Sequence, residues 1–446
     1  MKKNLLKHIS ILIVLFIFSI NLSAQSPYES IPISDITSVD SIEIRGNDIT
    51  EDFIIRRELT FKAGDKINNK IIEFNKERIF SLGLFSKVEL FTEKINTDTL
   101  LVISVKETWY IYPIPFLYLR GGDFDKSSYG LNFLYKNFRG RNETLRAIAS
   151  FGYNPNYQIS YFNPVLISKT DISFSFGFSY LKSSNRSIKA ETLFGKEFDH
   201  KIYSTFLIVG KRINLYNEIK LVSEFRYVET PEKYIPEING SKDRIDHNLS
   251  LGINYTFDTR DLKQHPKSGF LASVSYSHLG FEIDDIDYNL FRIDFREYVR
   301  IFNELTFKWR LDYRHTFGKK VPLYDYSFLG VGDYIRGHRG DDQEGNNFIL
   351  SSFEFNHPIV EEWNLSLDIP FLPKRLTSAR IGIHANIFFD TGLAYNNGET
   401  WKLSDFQSGW GVGITILALP FNAFRIEYAF DEVKNGELIF GSGFSF

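Results

Sequence analysis

Few residues in this sequence have both the type and the spacing for chemistry. Cysteine is absent, which removes thiol catalysis, disulfide frameworks and thiolate metal sites. The nine histidines are scattered, with no His-Glu-x-x-His pattern and no nucleophile elbow beside them. A lipase-type site needs a nucleophile next to a base. His384, the best-placed histidine, falls on the polar set of its segment. What remains is a guanidinium. Arg336 stands in Gly330-Val331-Gly332-Asp333-Tyr334-Ile335-Arg336-Gly337-His338, inside a polar, Gly-rich connection over residues 317–347. An arginine fork engages both oxygens of a carboxylate, so the chemistry on offer is a charge-assisted clasp and not a reaction. Structureless connections of this length are as a rule either functional or disordered; taken alone, this one also reads as a solvated loop with an ordinary arginine. The sequence predicts no enzyme, no cofactor and no metal.

The elements that position Arg336 set its meaning. The formal net charge of −3 gives no reason to expect nucleic acid as a partner. Residues 1–24 read as a secretory signal: Lys2 and Lys3, a short apolar run, then Leu22-Ser23-Ala24. Beyond it no apolar run approaches the ~20 residues of a membrane helix. Residues 25–37 read as a linker, and 38–107 as a small α+β domain ordered strand, helix, helix, strand, strand. Its first helix is expected to start at a Thr50 cap, its second to carry the stripe Ile71, Ile72, Phe74, Ile79 and Leu82.

From residue 108 to 446 the pattern turns to period two. Ile172-Ser173-Phe174-Ser175-Phe176-Gly177-Phe178-Ser179-Tyr180 alternates large apolar with small or polar residues, and Phe424, Ile426, Tyr428 and Phe430 alternate with Ala423, Arg425, Glu427 and Ala429. In a strand the two sets face opposite ways. A soluble sandwich would turn the apolar set inward; a transmembrane barrel turns it to lipid around a polar lumen. Charges in the polar set (Arg292, Asp294, Arg296, Glu427) and 16% aromatic residues favour the barrel. Some 340 residues at about 20 per strand and connection predict about sixteen strands, all antiparallel. Connections near 139–142, 213–216, 299–302 and 418–421 are short, and those near 181–199, 229–244, 317–346 and 392–407 are long. The long stretch near 358–375 breaks this alternation.

These residues resemble a known superfamily, the outer-membrane assembly factors that include BamA, TamA and the two-partner-secretion transporters (the bacterial surface antigen type). The resemblance covers essentially the whole mature chain. Ile42, Ile44, Gly46-Asn47, Gly64-Asp65, Leu82-Gly83-Leu84-Phe85 and Val88 resemble one polypeptide-transport-associated (POTRA) domain. Ile335-Arg336-Gly337 resembles the family's sixth-loop signature, with His338 where an aromatic usually follows. Phe388-Phe389-Asp390-Thr391-Gly392 resembles its Phe-x-Asp-x-Gly strand. Phe257-Asp258-Thr259-Arg260-Asp261, with Pro266 and Gly269, resembles a periplasmic turn motif. Gly411-Val412-Gly413, Arg425-Ile426-Glu427-Tyr428 and terminal Phe446 resemble the last three strands. The resemblance implies that the sixth loop folds into the lumen and that Arg336 pairs with carboxylates on the wall. Alternation independently puts Asp390 and Glu354 on the lumen-facing set of strands that are neighbours in the family order. By alternation alone they are ordinary wetted charges; the resemblance makes them partners of Arg336.

The first barrel strand, residues 109–119, carries Pro113 and Pro115, which cannot donate to a ladder. The last carries Gly441 and Gly443. If these strands meet, their seam lacks hydrogen bonds; in the family the seam is the proposed lateral gate, where a client strand adds to an open edge. An equally open reading is a strand that bends away from its linker. The expected function is insertion or translocation of proteins at the outer membrane of a Gram-negative bacterium. The periplasmic POTRA domain captures unfolded outer-membrane or secreted clients, and the barrel inserts or exports them. Outer-membrane lipids, and periplasmic chaperones or accessory proteins, are the further expected partners. The alternative is a passive pore or substrate-specific channel.

Overall fold

A computed structural model describes residues 37–119, 124–167, 170–231, 234, 235, 237–302, 304–330 and 332–446. The expected signal, nearly all of the linker, and Val331 lie outside the described residues.

The small domain begins with β1 (Thr37–Ser38), β2 (Ser41–Arg45), α1 (Asp52–Arg56), β3 (Lys66–Ile67), α2 (Asn69–Phe80), β4 (Phe85–Ile95) and β5 (Asp98–Glu107). Its sheet is ordered β2-β5-β4, with β2 parallel to β5 and β4 antiparallel to it. α2 is capped by Asn68, whose side chain accepts from the Ile71 N–H. α1 departs from expectation: Glu51, not Thr50, holds the cap position, without a side-chain bond. Thr50 is instead buried, and donates its hydroxyl to Glu107 at 2.7 Å.

The remainder is β6 (Ile111–Leu119), β7 (Ser127–Phe138), β8 (Glu143–Gly152), β9 (Asn156–Ile167), β10 (Ile172–Ser184), α3 (Ile188–Phe194), β11 (Asp199–Arg212), β12 (Asn217–Glu229), β13 (Ile245–Asp258), β14 (Gly269–Leu279), β15 (Tyr288–Phe302), β16 (Leu305–Gly318), the small hairpin β17 (Ser327–Leu329) and β18 (Gln343–Gly345), then β19 (Asn347–Ser366), β20 (Ser378–Tyr395), β21 (Gln407–Leu419), β22 (Asn422–Phe430) and β23 (Gly436–Ser442). Leaving aside β17 and β18, these form one 16-stranded sheet running in sequence order from β6 to β23, antiparallel throughout.

Exposure is inverted relative to a soluble protein. On β22, Phe424, Ile426 and Tyr428 are exposed while Glu427 is fully buried; on β20, Ile387 is exposed while His384, Asn386 and Asp390 are buried. Apolar outside and polar inside is the pattern of a transmembrane barrel. The sheet curls on itself. Ser445, just past β23, bonds to Lys308 on β16 and Glu354 on β19 at 3.0 and 3.2 Å. Tyr112 on β6 meets Phe421 of the β21–β22 turn, with ring centroids 6.0 Å apart. Among the described residues, no ladder bonds join β6 to β23.

Where the alternation broke near 358–375, the chain does not form a long loop. β19 and β20 run on as a hairpin, leaving only residues 367–377 between them. Register shifts at Pro358/Val360 and Val360/Trp363 disrupt the period and hide the strand from pattern reading. The turn expected near 299–302 lies one step later, between Phe302 and Leu305.

The small domain packs against the adjoining barrel mouth through one shared apolar cluster. Ile54, Ile55, Ile79, Phe80, Leu84 and Phe85 meet Val165, Leu262, Leu417 and Leu419 of the barrel there. Ion pairs ring the contact. Glu58 accepts from Arg212 at 2.7 Å and Arg78 at 3.0 Å, and Arg380 pairs with Glu77 at 2.8 Å over the Phe80 ring. At the far mouth α3 and its neighbours bury Ala190, Phe198, Ile238 and Leu323 in a cap.

Candidate functional site: an arginine clasp inside the barrel

The long connection between β16 and β19 folds down into the lumen instead of standing in solvent. Three charged residues along it meet the wall. Near its start, Asp325 accepts from Arg226 on β12 at 2.9 Å. Asp333 pairs with Arg292 on β15 and Arg310 on β16, at 3.1 and 3.3 Å. Arg292, Asp294, Arg296 and Arg310 also line a polar lumenal cavity of ≈ 520 Å³.

Arg336 makes the most extensive contact, to three carboxylates. Its Nε and Nη2 donate to the two Asp390 oxygens at 2.7 and 2.9 Å, and its Nη1 donates to Glu354 at 3.2 Å and Glu427 at 2.9 Å. The Arg336 backbone N–H adds a further bond to Asp390 at 3.1 Å. The side chain is 5% exposed, and its carboxylate partners 2% or less. The Phe388 ring lies flat under the guanidinium, with its centroid 3.6 Å from the central carbon. The fork thus spans β19, β20 and β22, and one stacked face excludes water.

The partners are held in turn. Glu354 gives its second oxygen to Lys308, which is buried, and to Ser445. The C-terminal tail therefore touches the same carboxylate as the loop. Buried charges are costly unless paired; here Lys308 and Arg336 stand against Asp390, Glu354 and Glu427, with Arg425 3.6 Å from Glu427.

Small residues make the approach possible. Gly337 has φ +101°, and a Cβ there would lie 2.7 Å from the Phe430 carbonyl; its N–H donates to Glu437 on β23 at 2.8 Å. A Cβ on Gly392 would meet the Ile349 carbonyl at 2.9 Å and Ile335 at 3.2 Å. Ile335 is buried with Leu329, Phe348 and Leu350. Gly409 on β21 is tighter still: its Cβ would fall 1.7 Å from the Arg336 carbonyl. His338 extends the clasp outward, its ring nitrogens 3.0 Å from Asp341 and 2.7 Å from Glu432.

Arg336, Gly337, Ile335, Glu354, Asp390 and Gly392 thus come together in space. Glu427, Phe388, Lys308, Gly409 and Glu437 join them and were not singled out from sequence as members of the clasp. Asp258, Arg260, Asp261 and Gly269 form a separate unit. Arg260 pairs with Asp258 at 2.9 Å, and Asp261 accepts from the Leu262 and Lys267 N–H groups. Gly269 (φ +97°) lets that strand approach Thr259. This is a braced turn at the small-domain mouth, remote from Arg336 along the strands. Pro113 and Pro115 face Phe133 and Leu131 across an unbroken ladder to β7, so the donors they lack belong to the other, open edge of β6. Gly441 pairs with Arg425 on β22, Gly443 donates to the Ala423 carbonyl at 2.8 Å, and Phe446 is half-buried at the chain end.

Comparison with known proteins adds the lineage. Residues 137–446 match the Omp85 superfamily domain, and residues 37–108 match POTRA, the surface antigen variable number repeat. Similar solved structures include BamA from Haemophilus ducreyi lacking POTRA domains 1–3, at 18% identity and TM-score 0.53, covering 91% of this chain and 83% of that one. They also include CdiB from Escherichia coli, at 10% identity and TM-score 0.55, covering 90% and 74%. CdiB from Acinetobacter baumannii is similar too, at 14% identity and TM-score 0.50, covering 91% and 73%.

Proposed function

The chain belongs to the Omp85 superfamily, and on that premise we propose that it is an outer-membrane protein insertion or translocation factor. Its POTRA domain sits in the periplasm and receives unfolded outer-membrane or secreted clients. Its barrel, with the sixth loop clasped inside, inserts or exports them. No bond is made or broken; the work is done by strand exchange and by a loop held or released. The observation that carries this reading is the Arg336 clasp. A solvent-filled pore has no use for a desolvated guanidinium joining a loop to three wall strands, whereas a barrel that must hold one arrangement against another does. The open edge of β6 supports it as well.

The client enters by strand addition at β4, one of the two edge strands of the three-stranded sheet. Val88 there is buried, while Phe91 is exposed, so a photo-crosslinking residue belongs at position 91. Crosslinks from Phe91 to unfolded outer-membrane or secreted proteins are the expected result. An absence of protein crosslinks in cells making such clients counts against capture.

The passive-channel reading keeps one supporting feature, the polar cavity beside Arg292 and Arg310. A large steady conductance, unchanged by deleting residues 38–107, would favour it.

A further inference from the structure

The β19–β20 hairpin outruns its neighbour. β16 pairs with β19 only as far as Asn356, whereas β19 continues to Ser366, ten residues on (366 − 356). The outward set continues down this extension: Val360 stands opposite Ile383 and Trp363 opposite Ile381. Past the paired region Leu367, Ile369, Phe371 and Leu372 are 46%, 40%, 104% and 45% exposed. Phe371 also has φ +71°, a strained conformation for a large side chain and one that sets its ring out from the tip. Lys374 follows, with its side chain 65% exposed.

The inner side of the same hairpin is polar and occupied. Arg380 holds Glu77 of α2, Lys106 donates to Ser378 at 3.2 Å, Arg375 pairs with Asp48 at 2.8 Å, and the Trp109 N–H donates to the Arg375 carbonyl at 3.2 Å. One face is therefore bolted to the small domain and its linker. The other continues the barrel's lipid-facing belt across the two register shifts, past an exposed Glu361, and ends in a tryptophan, a phenylalanine and a lysine that pairs with Asp368 at 3.2 Å. That is the composition of a bilayer interface, where aromatic rings sit at headgroup depth and lysine reaches to water.

We propose that residues 363–374 lie in the interface of the leaflet on the small-domain side, as an apolar foot that fixes the docked domain relative to the membrane. The occupant of this face is lipid, and the inference stands whether or not the barrel inserts proteins.

The chain has no cysteine, so Phe371→Cys offers a unique label site, and its complete exposure makes the change harmless to packing. The full chain, carrying an environment-sensitive fluorophore at 371, is reconstituted into vesicles of phosphatidylethanolamine and phosphatidylglycerol. Phe424→Cys on the belt and Lys94→Cys on β4 serve as lipid and water references. Emission at 371 is expected to be blue-shifted toward the Phe424 value, and quenched several-fold more strongly than at Lys94 by lipids bearing a headgroup-proximal nitroxide. Emission matching the Lys94 site, with quenching by aqueous iodide, overturns the proposal. So does a blue shift that appears only when unfolded client protein is added, which would assign the foot to protein and not to lipid.

Discussion

Arg336 brings one positive charge against Asp390, Glu354 and Glu427, all of them buried in the lumen. Removing Arg336 takes from buried Asp390 its cation, and removing Asp390 takes from the guanidinium its two-oxygen partner; breaking such a buried pair costs about 3–5 kcal/mol. Arg336→Ala and Asp390→Ala are therefore expected to lower the temperature at which the detergent-solubilised barrel loses its compact gel mobility. Gly409→Ala should do the same without altering any charge, because its methyl would occupy the position of the Arg336 carbonyl. Equal melting of all three with the parent chain would mean that the clasp holds nothing. Part of this site was legible in the sequence. Alternation placed Asp390 and Glu354 on the inner face, and the Ile335-Arg336-Gly337 motif gave them a partner. Glu427 and Lys308 lie on the same face, yet parity fixes a face and not a height. Which inward residues share a level depends on the register of strands joined by long loops. Gly409 looks like any strand glycine until the Arg336 backbone is seen against it.

At the scale of elements, the long β16–β19 connection is a tether with several fixings. His338 makes one of them, to the β22–β23 turn through Glu432 and to its own loop through Asp341. Burial alone would lower the His338 pKa, but the bond to Asp341 and the charge of Glu432 outweigh it and raise the value above 6.5. An imidazole held charged in the fold and titrating near 6.5 when unfolded stabilises fully below about pH 6.5, and the contribution disappears as pH climbs through the raised value. The melting difference between the parent chain and His338→Gln should thus be largest under mildly acidic conditions and vanish in alkali. A difference independent of pH would contradict a charged His338. Strand existence was legible from the period-two runs, because one face of each strand meets lipid. Two features escaped. The bulges near Pro358 broke the period of β19, and Thr50 served a buried carboxylate in place of a helix cap.

For the whole molecule, packed elements stand at both mouths, the cap around α3 at one end and the small domain at the other. The docking of that domain runs through Glu58. Burial pushes its carboxyl pKa up, but Arg212 and then Arg78 hold it down at about 2. A carboxylate so depressed stabilises at pH values above its unfolded value of about 4.3, and the effect is lost as the pH falls from there toward 2. Energy transfer between labels on the small domain and the barrel should drop over that acid range. In Glu58→Gln it should already be low at neutral pH. Transfer unchanged in the variant would place the docking energy in the apolar cluster and the remaining ion pairs, such as Arg380–Glu77. That the two units pack as one body was not legible from sequence, since Leu262, Leu417 and Leu419 read simply as strand or turn residues.

The central claim is that the clasped loop serves the assembly of other proteins, and the most direct measurement is a rate. The purified full chain is reconstituted in phosphatidylethanolamine and phosphatidylglycerol vesicles and given an unfolded outer-membrane barrel protein. Appearance of folded, protease-protected client is then followed beside Arg336→Ala and Arg336→Lys. The account predicts assembly well above that of empty vesicles, a large fall with alanine, and incomplete recovery with lysine, which keeps the charge but not the fork. Client assembly that matches empty vesicles, or that proceeds equally in all three chains, would contradict it.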